Sequence, residues 1–386
     1  MDRNRGPLTR KLARTLVLVR DAWAGFGLLL LLLLAVDGVA RWRVEHQVNR
    51  VWRAAAEAYH GAPWVVPYWR EQQQVEERWE PFSYYSLKPY QGRYIHVDAA
   101  GRRRTWNRPL PERRNAVRIA LFGGSTVWGF GVRDDDTLPS QLSRLLAAAG
   151  LEVIVTNYGQ IAHVSSQQVV CLLRALESAP APQIVVFYDG INDTLAALSN
   201  QRAGVTISER ERAQEFRLQS QPSRLLTALF RGSGLVRWLQ LREPPLPIAG
   251  LRNPARAELL AGEVLRRYGA NVRLVEEAGR IGGFQSLFYW QPLVLQKRHL
   301  TPYERRMGIG GSAGDFFARV YREAPLYRPL ARDPRFHDIS SLFAETTEPR
   351  FLDRFHLGEE GNREVAERML QDLTPLVAQA KRTPPG

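Results

Sequence analysis

The sequence predicts an α/β fold, a parallel sheet covered by helices on both faces. Three observations predict it. Near-continuous apolar runs of strand length recur at residues 117–122, 151–156 and 183–188, the pattern of strands buried on both sides. Each run stops at a turn containing Gly or Asn, and the turns are followed by helix-like segments. The turns are evenly spaced, with 34 positions from Ser125 to Gly159 and 33 from Gly159 to Asn192. Each gap fits one βαβ unit of about 30 residues. Right-handed crossovers then bring all three turns to the C-terminal edge of the sheet, where ligands bind in open α/β folds.

The chain has 386 residues and 45% hydrophobic content, enough for a full core with an insertion or a second small domain. Its formal net charge of +14 is carried almost wholly by Arg; Lys occurs only as Lys11, Lys88, Lys297 and Lys381. The positive charges are spread along the chain with no dense basic stripe among aromatics, which argues against nucleic-acid binding. Arg102-Arg103-Arg104 follows a turn and reads as a solvated hairpin. The single Cys171 excludes an intramolecular disulfide and a cysteine-rich metal site, and its apolar helical surroundings, VVCLLRAL, read as core. Nothing in the sequence points to a metal ion or an organic cofactor.

Taken in order, residues 1–20 carry Arg3, Arg5, Arg10, Lys11, Arg14 and Arg20 against Asp2. The uncharged run 22–36 follows and ends at Asp37, Arg41 and Arg43. It reaches the ~20 residues of a bilayer core by adding residues 16–19, with Arg20 snorkelling to the headgroups, or residues 38–40. Seven consecutive leucines, Leu28 to Leu34, leave no polar face for a core helix. The positive-inside rule places the N-terminus in the cytoplasm and the chain after about residue 40 outside. An uncleaved anchor is expected; cleavage at Gly38-Val39-Ala40, a small-x-small site, is the alternative. The expected domains are a basic tail and anchor at 1–40, a membrane-proximal helix and small hairpin region at 41–114, and the α/β domain at 115–380.

Residues 41–60 read as a helix leaving the membrane, with Val44, Val48, Val51, Trp52, Ala55 and Tyr59 in a loose stripe. Residues 61–80 are aromatic, contain Pro and match no element pattern. Residues 93–106 read as a small hairpin with Ala99-Ala100-Gly101 at its tip. The first strand breaks at Gly123-Gly124 and presents Ser125 before a helix at about 138–149. The second runs into Asn157-Tyr158-Gly159 and a helix at about 166–177. The third ends in Asp189-Gly190-Ile191-Asn192-Asp193. Residues 194–283 are too long for a simple crossover. They hold Arg-rich helical segments, a Pro-rich break at 243–247 and a helix at 254–281, and read as an insertion bordering the site. A fourth strand at 284–290, a helix at 313–330 and a fifth short strand around 337–342 follow. The terminal helix at 359–378 has Val365, Met369, Leu373 and Val377 on one face.

A buried strand that delivers Ser125 through a glycine turn to a helix start lifts the hydroxyl out of the sheet and favours developing negative charge. Rival motifs fail on spelling. Gly124 and Gly129 have P-loop spacing but Phe130 replaces the Lys; Gly129 and Gly131 find no third glycine for a dinucleotide fingerprint; Val127 stands where a G-x-S-x-G turn ends. Just before the terminal helix, Asp353 and His356 are three apart and share a face if the turn is helical. A serine nucleophile needs a base for its proton and a carboxylate to fix the imidazole tautomer; Ser125, His356 and Asp353 supply that set. The N–H groups of Ser125 and Gly159 and the Asn192 amide can donate to a tetrahedral oxyanion.

Gly123-Gly124-Ser125, Asn157-Tyr158-Gly159, Gly190-Ile191-Asn192-Asp193 and Asp353-Arg354-Phe355-His356 stand in the order of the four blocks of the SGNH (GDSL-type) hydrolase superfamily. About residues 115 to 375 resemble it. The resemblance implies a flavodoxin-like three-layer α/β/α sandwich, Ser125 as nucleophile, His356 as base, Asp353 as its orienter, and Gly159 and Asn192 as oxyanion donors beside Ser125. One departure stands out: Gly124 occupies the position where family members commonly have Asp. Asp193 is expected to tie down its loop. His163 and Tyr188 lie near strand ends, where they can touch substrate, although local hydrogen bonding is the favoured reading.

The expected activity is ester hydrolysis through an acyl-enzyme, on a small ester or an acylated envelope or exported glycan. The expected setting is a bacterial inner membrane, single pass, with the catalytic domain in the periplasm or outside the cell. One alternative passes the acyl group to a sugar hydroxyl. Another keeps the fold for binding or assembly without catalysis, against which the complete triad argues.

Overall fold

The computed structural model describes residues 7–54, 58–110, 115–177, 180–220, 251, 253–307, 310–324 and 327–382. The Pro-rich break at 243–247 lies outside the described residues. In chain order come α1 (Pro7–Ala54), α2 (Val65–Gln72), β1 (Glu77–Glu80), β2 (Tyr84–Leu87), β3 (Tyr90–Gln91), β4 (His96–Val97), β5 (Val117–Gly123), α3 (Ser125–Trp128), α4 (Leu138–Ala148), β6 (Val153–Asn157), α5 (Ser165–Glu177), β7 (Ile184–Asp189), α6 (Ile191–Asn200), α7 (Glu209–Ser220), α8 (Pro254–Gly282), β8 (Gln285–Trp290), α9 (Pro302–Arg306), α10 (Gly311–Glu323), α11 (Arg328–Ala331), β9 (Phe336–Asp338) and α12 (Glu359–Arg382).

The last five strands form one parallel sheet in the order β6-β5-β7-β8-β9. Counted along the chain this is 2-1-3-4-5, the flavodoxin-like order, whose ligand crevice opens where the order reverses. That switch point lies between β5, which leads to Ser125, and β7, which leads to Asn192. The three layers follow from strand alternation. Ala120, Phe122, Val185, Phe187, Phe288 and Trp290 point to one face and meet α5, α6, α8 and α10. Ile119, Leu121, Val155, Val186 and Tyr289 point to the other and meet Leu138, Leu142 and Leu146 of α4 and the expected stripe of α12. Both faces are thus covered, which is why these strands read as unbroken apolar runs.

Two expectations change in the C-terminal part. The single helix expected at 313–330 is instead α10 and α11, with Pro329 in the first turn of α11, where a missing N–H is tolerated. The fifth strand is earlier and shorter, and pairs only from Phe336 to Asp338 with β8. In the N-terminal part, α1 is one continuous helix whose segment Arg14–Arg43 is long and apolar enough to cross a membrane. Within it Arg41 pairs with Asp37 at 2.7 Å. Residues 58–110 fall in the same compact unit as the sheet. They hold α2 and two small antiparallel hairpins, β1–β2 and β3–β4, and a core of Tyr59, Val65, Tyr68, Trp69, Ile95 and Val97 that closes over Trp128 and Val132.

Candidate active site

The switch point is built first by glycines. β5 ends in Gly123, Gly124 is extended, and Ser125 opens the single turn of α3. The turn stops at Gly129, φ +96°, where a side chain would also strike Thr137. Glycine takes that backbone angle without strain. Ser125 N–H is the first of a helix start, a donor the turn leaves unpaired.

The loop after Ser125 is held from the N-terminal segment. Arg103 was read as part of a solvated hairpin, and this is wrong: its side chain is fully buried, while those of Arg102 and Arg104 are 39% and 53% exposed. The hairpin's two-residue period turns only the middle Arg inward. There its guanidinium donates to Gly129 O at 2.6 Å and Val132 O at 2.7 Å, pairs with Asp134 at 2.8 Å, and lies over the Trp128 ring. Tyr59 donates its hydroxyl to Gly131 O and Tyr68 accepts from Gly131 N–H, each at 2.9 Å. From the other side, Asn157 Nδ2 donates to Val127 O at 3.0 Å.

His356 arrives 231 positions later, with Asp353 three residues before it, in a tight loop closed by the Phe351–Leu357 bridge. The loop is not the helical turn that the spacing allowed. Asp353 Oδ1 instead accepts the backbone N–H of Phe355 and of His356, each at 2.8 Å, and this folds the carboxylate back over its own loop. Its Oδ2 then meets His356 Nδ1 at 2.6 Å, and His356 Nε2 meets Ser125 Oγ at 2.7 Å. The Phe130 ring lies 4.5 Å from the imidazole, so the residue that ruled out a P-loop packs on His356. Burial pushes the Asp353 carboxyl up, but the His356 charge and the three bonds it accepts outweigh this and hold it below the usual carboxylate range.

Neighbouring segments clamp this loop. Tyr303 donates to Leu352 O, and Arg354 Nε donates to Met307 O at 2.8 Å. A buried Lys297–Glu304 pair at 2.6 Å sits beneath, and Glu304 also accepts from Arg350 N–H at 3.2 Å.

The three expected oxyanion donors differ in state. Asn192 Nδ2 gives one hydrogen to His163 O at 2.9 Å and keeps a second. Gly159 N–H, by contrast, donates to Asn157 Oδ1 at 2.8 Å. Its glycine is needed for packing, since a Cβ there would lie 2.3 Å from Trp128 N. Asp193 accepts from Ser165 Oγ at 2.5 Å and from Ser165 N–H at 3.1 Å, and Asn271 of α8 donates to the same Ser165 hydroxyl at 2.8 Å. The Asn192 loop is therefore tied to α5 and α8.

Neither possible substrate-lining residue points at Ser125. Tyr188 is buried in the α4/α12 layer. His163 is buried with its ring between Tyr85 O, 3.0 Å from Nε2, and Cys171 Sγ, 3.9 Å from Nδ1. Burial pulls its pKa down to about 4 and pushes the Cys171 thiol up to about 11. Among the described residues no group of three or more His, Cys, Asp or Glu side chains could hold a metal ion.

The reading from sequence missed Phe130, Arg103 and Asn157. Only Asn157 had a local signal, as an Asn two residues before the Gly it engages. Together the groups at Ser125 form a relay that can take a proton from the hydroxyl and steady the resulting imidazolium.

No family model and no curated protein matches the chain. Solved structures do match in outline. One is an acetyl xylan esterase, 14% identical, TM-score 0.38, covering 67% of this chain and 100% of its own. Another is a member of the lipolytic protein G-D-S-L family from Veillonella parvula, 12% identical, TM-score 0.38, covering 67% and 99%. A third is Axe2, an acetylxylan esterase from Geobacillus stearothermophilus, 15% identical, TM-score 0.34, covering 67% and 96%. Likeness at this level assigns no activity to this chain.

Proposed function

We propose that this chain is a serine ester hydrolase of the SGNH (GDSL) type. The observation that carries the reading is the hydrogen-bond chain Asp353–His356–Ser125, with links of 2.6 and 2.7 Å, placed at the switch point of a 2-1-3-4-5 sheet. Ser125 Oγ attacks the ester carbonyl while His356 Nε2 takes its proton. Asp353 holds the imidazole by Nδ1 and steadies its positive charge. The tetrahedral oxyanion receives Ser125 N–H and the second hydrogen of Asn192 Nδ2. Collapse expels the alcohol, which His356 protonates, and leaves an acyl-enzyme. His356 then activates water, which releases the acid and restores Ser125.

The substrate class is an O-acyl ester, with O-acetyl on an envelope or exported glycan as the leading candidate. The Arg14–Arg43 segment of α1 serves as a single-pass anchor, and the basic N-terminus on its cytoplasmic side puts the catalytic domain in the periplasm or outside the cell.

The test is turnover of p-nitrophenyl esters of increasing chain length by the full-length protein in detergent, beside Ser125→Ala. Hydrolysis that vanishes in the variant, with acetyl preferred over longer chains, supports the reading. No turnover and no intact-mass shift from a serine-reactive phosphonate would overturn it. Turnover that requires a sugar acceptor would reassign the same triad to acyl transfer.

A further inference from the structure

Behind the Asn192 turn the fold buries two carboxyls. Asp189 ends β7, and Asp193 lies four positions on, in the first turn of α6. They are 3% and 7% exposed. Among the described residues neither is paired with a Lys, Arg or His side chain. Two uncompensated negative charges in one interior are costly, and one group commonly keeps its proton instead.

The contacts decide which one, and Asp193 is the anion. Its Oδ1 accepts from Ser165 Oγ at 2.5 Å, and its Oδ2 from Ser165 N–H, the first of α5, at 3.1 Å. Asn271 Nδ2 donates to the same Ser165 hydroxyl, which leaves that hydroxyl to donate to Asp193. Asp193 thus sits at the start of both α5 and α6, where negative charge is favoured. Burial raises its pKa, and the Ser165 donors oppose the rise.

Asp189 has no such support. Its Oδ1 accepts from Gln168 Nε2 at 2.7 Å, and its Oδ2 has no partner. Burial pushes this carboxyl well up, and the Asp193 charge adds to the push. The titratable groups that face it are Asp193 of α6, Tyr268 of α8 and Tyr321 of α10; Tyr188 of β7 and Asp338 of β9 act on Tyr321 in turn. None of these is a cation. The Tyr268 and Tyr321 hydroxyls are buried without a partner of their own, so each can accept a hydrogen bond. Gly190, at φ +122°, packs on the same cluster: a Cβ there would lie 2.9 Å from the Tyr321 hydroxyl and 3.0 Å from the Trp290 ring. The turn that carries Asn192 therefore rests directly on these side chains.

We propose that Asp189 is a neutral carboxylic acid at neutral pH, and that its Oδ2–H, donated to the phenol cluster, seats the turn from Gly190 to Asn192. Asp189 is then a positioning residue for the oxyanion donor. Its effect on turnover rests on the proposed hydrolase reading; its protonation does not.

Full-length protein in detergent is compared with Asp189→Asn, which keeps the shape and a donor but cannot ionise, and with Asp189→Leu, which keeps neither donor nor acceptor. The infrared spectrum at pH 8 should show the C=O stretch of a protonated carboxyl in wild type and its loss in Asp189→Asn. Glu276 and Glu359, pushed up to about 7 chiefly by burial, are mostly ionised there. In urea unfolding, the folded state keeps a proton that the unfolded chain gives up above about pH 4. Relative to Asp189→Asn, the wild-type folding constant should therefore fall about tenfold per pH unit from about pH 5 to 8. Asp189→Asn should keep kcat for p-nitrophenyl acetate. Asp189→Leu should lose about tenfold with KM little changed, the worth of one buried hydrogen bond. A wild-type spectrum without the band would overturn the neutral acid, and that result needs no variant to fold. So would parallel unfolding curves for wild type and Asp189→Asn. Equal kcat in all three proteins would overturn the link to Asn192. Absence of turnover in wild type would strike the hydrolase reading alone, since the spectrum and the unfolding curves do not depend on it.

Discussion

The Asn192 amide fills the space that a side chain on Gly124 would need: a Cβ there would lie 2.1 Å from Nδ2. This gives a physical reason for a glycine at position 124. The amide packs flush against the backbone beside Ser125, held from behind by His163 O at 2.9 Å. Gly124→Ala must push it aside. Turnover of p-nitrophenyl acetate is expected to fall about a hundredfold, the lower range for losing one oxyanion donor. Asn192→Ala should cost about the same, and the double variant little more, because both remove one interaction. Unchanged kcat in Gly124→Ala would remove Asn192 from the oxyanion site.

Asp353→Asn tests the relay and gives a pH signature. The Asp353 carboxyl is held below its ordinary range by His356 and by the N–H groups of Phe355 and His356, which outweigh burial. A group depressed on folding contributes stability above its unfolded pKa of about 4 and loses it as pH falls through the folded value. Wild type should therefore exceed Asp353→Asn in Tm at pH 5–8, and the gap should close below about pH 4. At pH 8 the variant should lose about 10³- to 10⁴-fold in kcat with KM little changed. A Tm gap independent of pH would mean that the charge is not what Asp353 contributes.

The sheet was legible in the sequence because strands buried on both faces leave long apolar runs, and the turns at Ser125, Gly159 and Asn192 sit where those runs stop. What was hidden depended on contacts across the chain. In Arg102-Arg103-Arg104 no composition rule separates the buried residue from its neighbours; the partners that do so, Gly129 O and Val132 O, lie about a hairpin and a strand away. Residues 61–80 could not be placed because α2 and β1 are short and the apolar side chains of α2 pack on Trp128 and Val132, contacts that leave no periodic run in the sequence. The partner of the Gly159 N–H was hidden for a local reason: Asn157 Oδ1, two residues back, accepts it. The break between α10 and α11 was missed, although Pro329 stands inside the expected helix.

Arg103 should be the most sensitive residue outside the triad. Its guanidinium closes two loop carbonyls and the nearly buried Asp134, which also meets His96 Nδ1 at 2.7 Å. Arg103→Met fills the space but leaves those acceptors without their donor. A loss of about 3 kcal/mol is expected, the lower end for breaking a buried ion pair because His96 still serves Asp134. Arg103→Lys should rescue little, since one ammonium cannot span three acceptors set in a fork. Urea unfolding of the three proteins measures this, and wild-type stability in Arg103→Met would show that the guanidinium is dispensable.

His163 should impose a second pH dependence, at higher pH than Asp353. Burial pulls its pKa down to about 4, whereas the unfolded chain titrates near about 6.5. Between these values the unfolded state takes up a proton that the folded state refuses, so stability falls as pH falls through this window. The full shift is worth about 3 kcal/mol, and the side chain is buried enough for most of it to count. His163→Gln keeps a donor for Tyr85 O without a group that titrates. Measured by urea unfolding from pH 7.5 to 4, wild type should lose stability relative to His163→Gln by about this amount. Because His163 O also holds the Asn192 amide, loosening of His163 in acid should slow p-nitrophenyl acetate turnover in wild type more than in the variant. Parallel stability curves for the two proteins would show that His163 charges freely in the folded state.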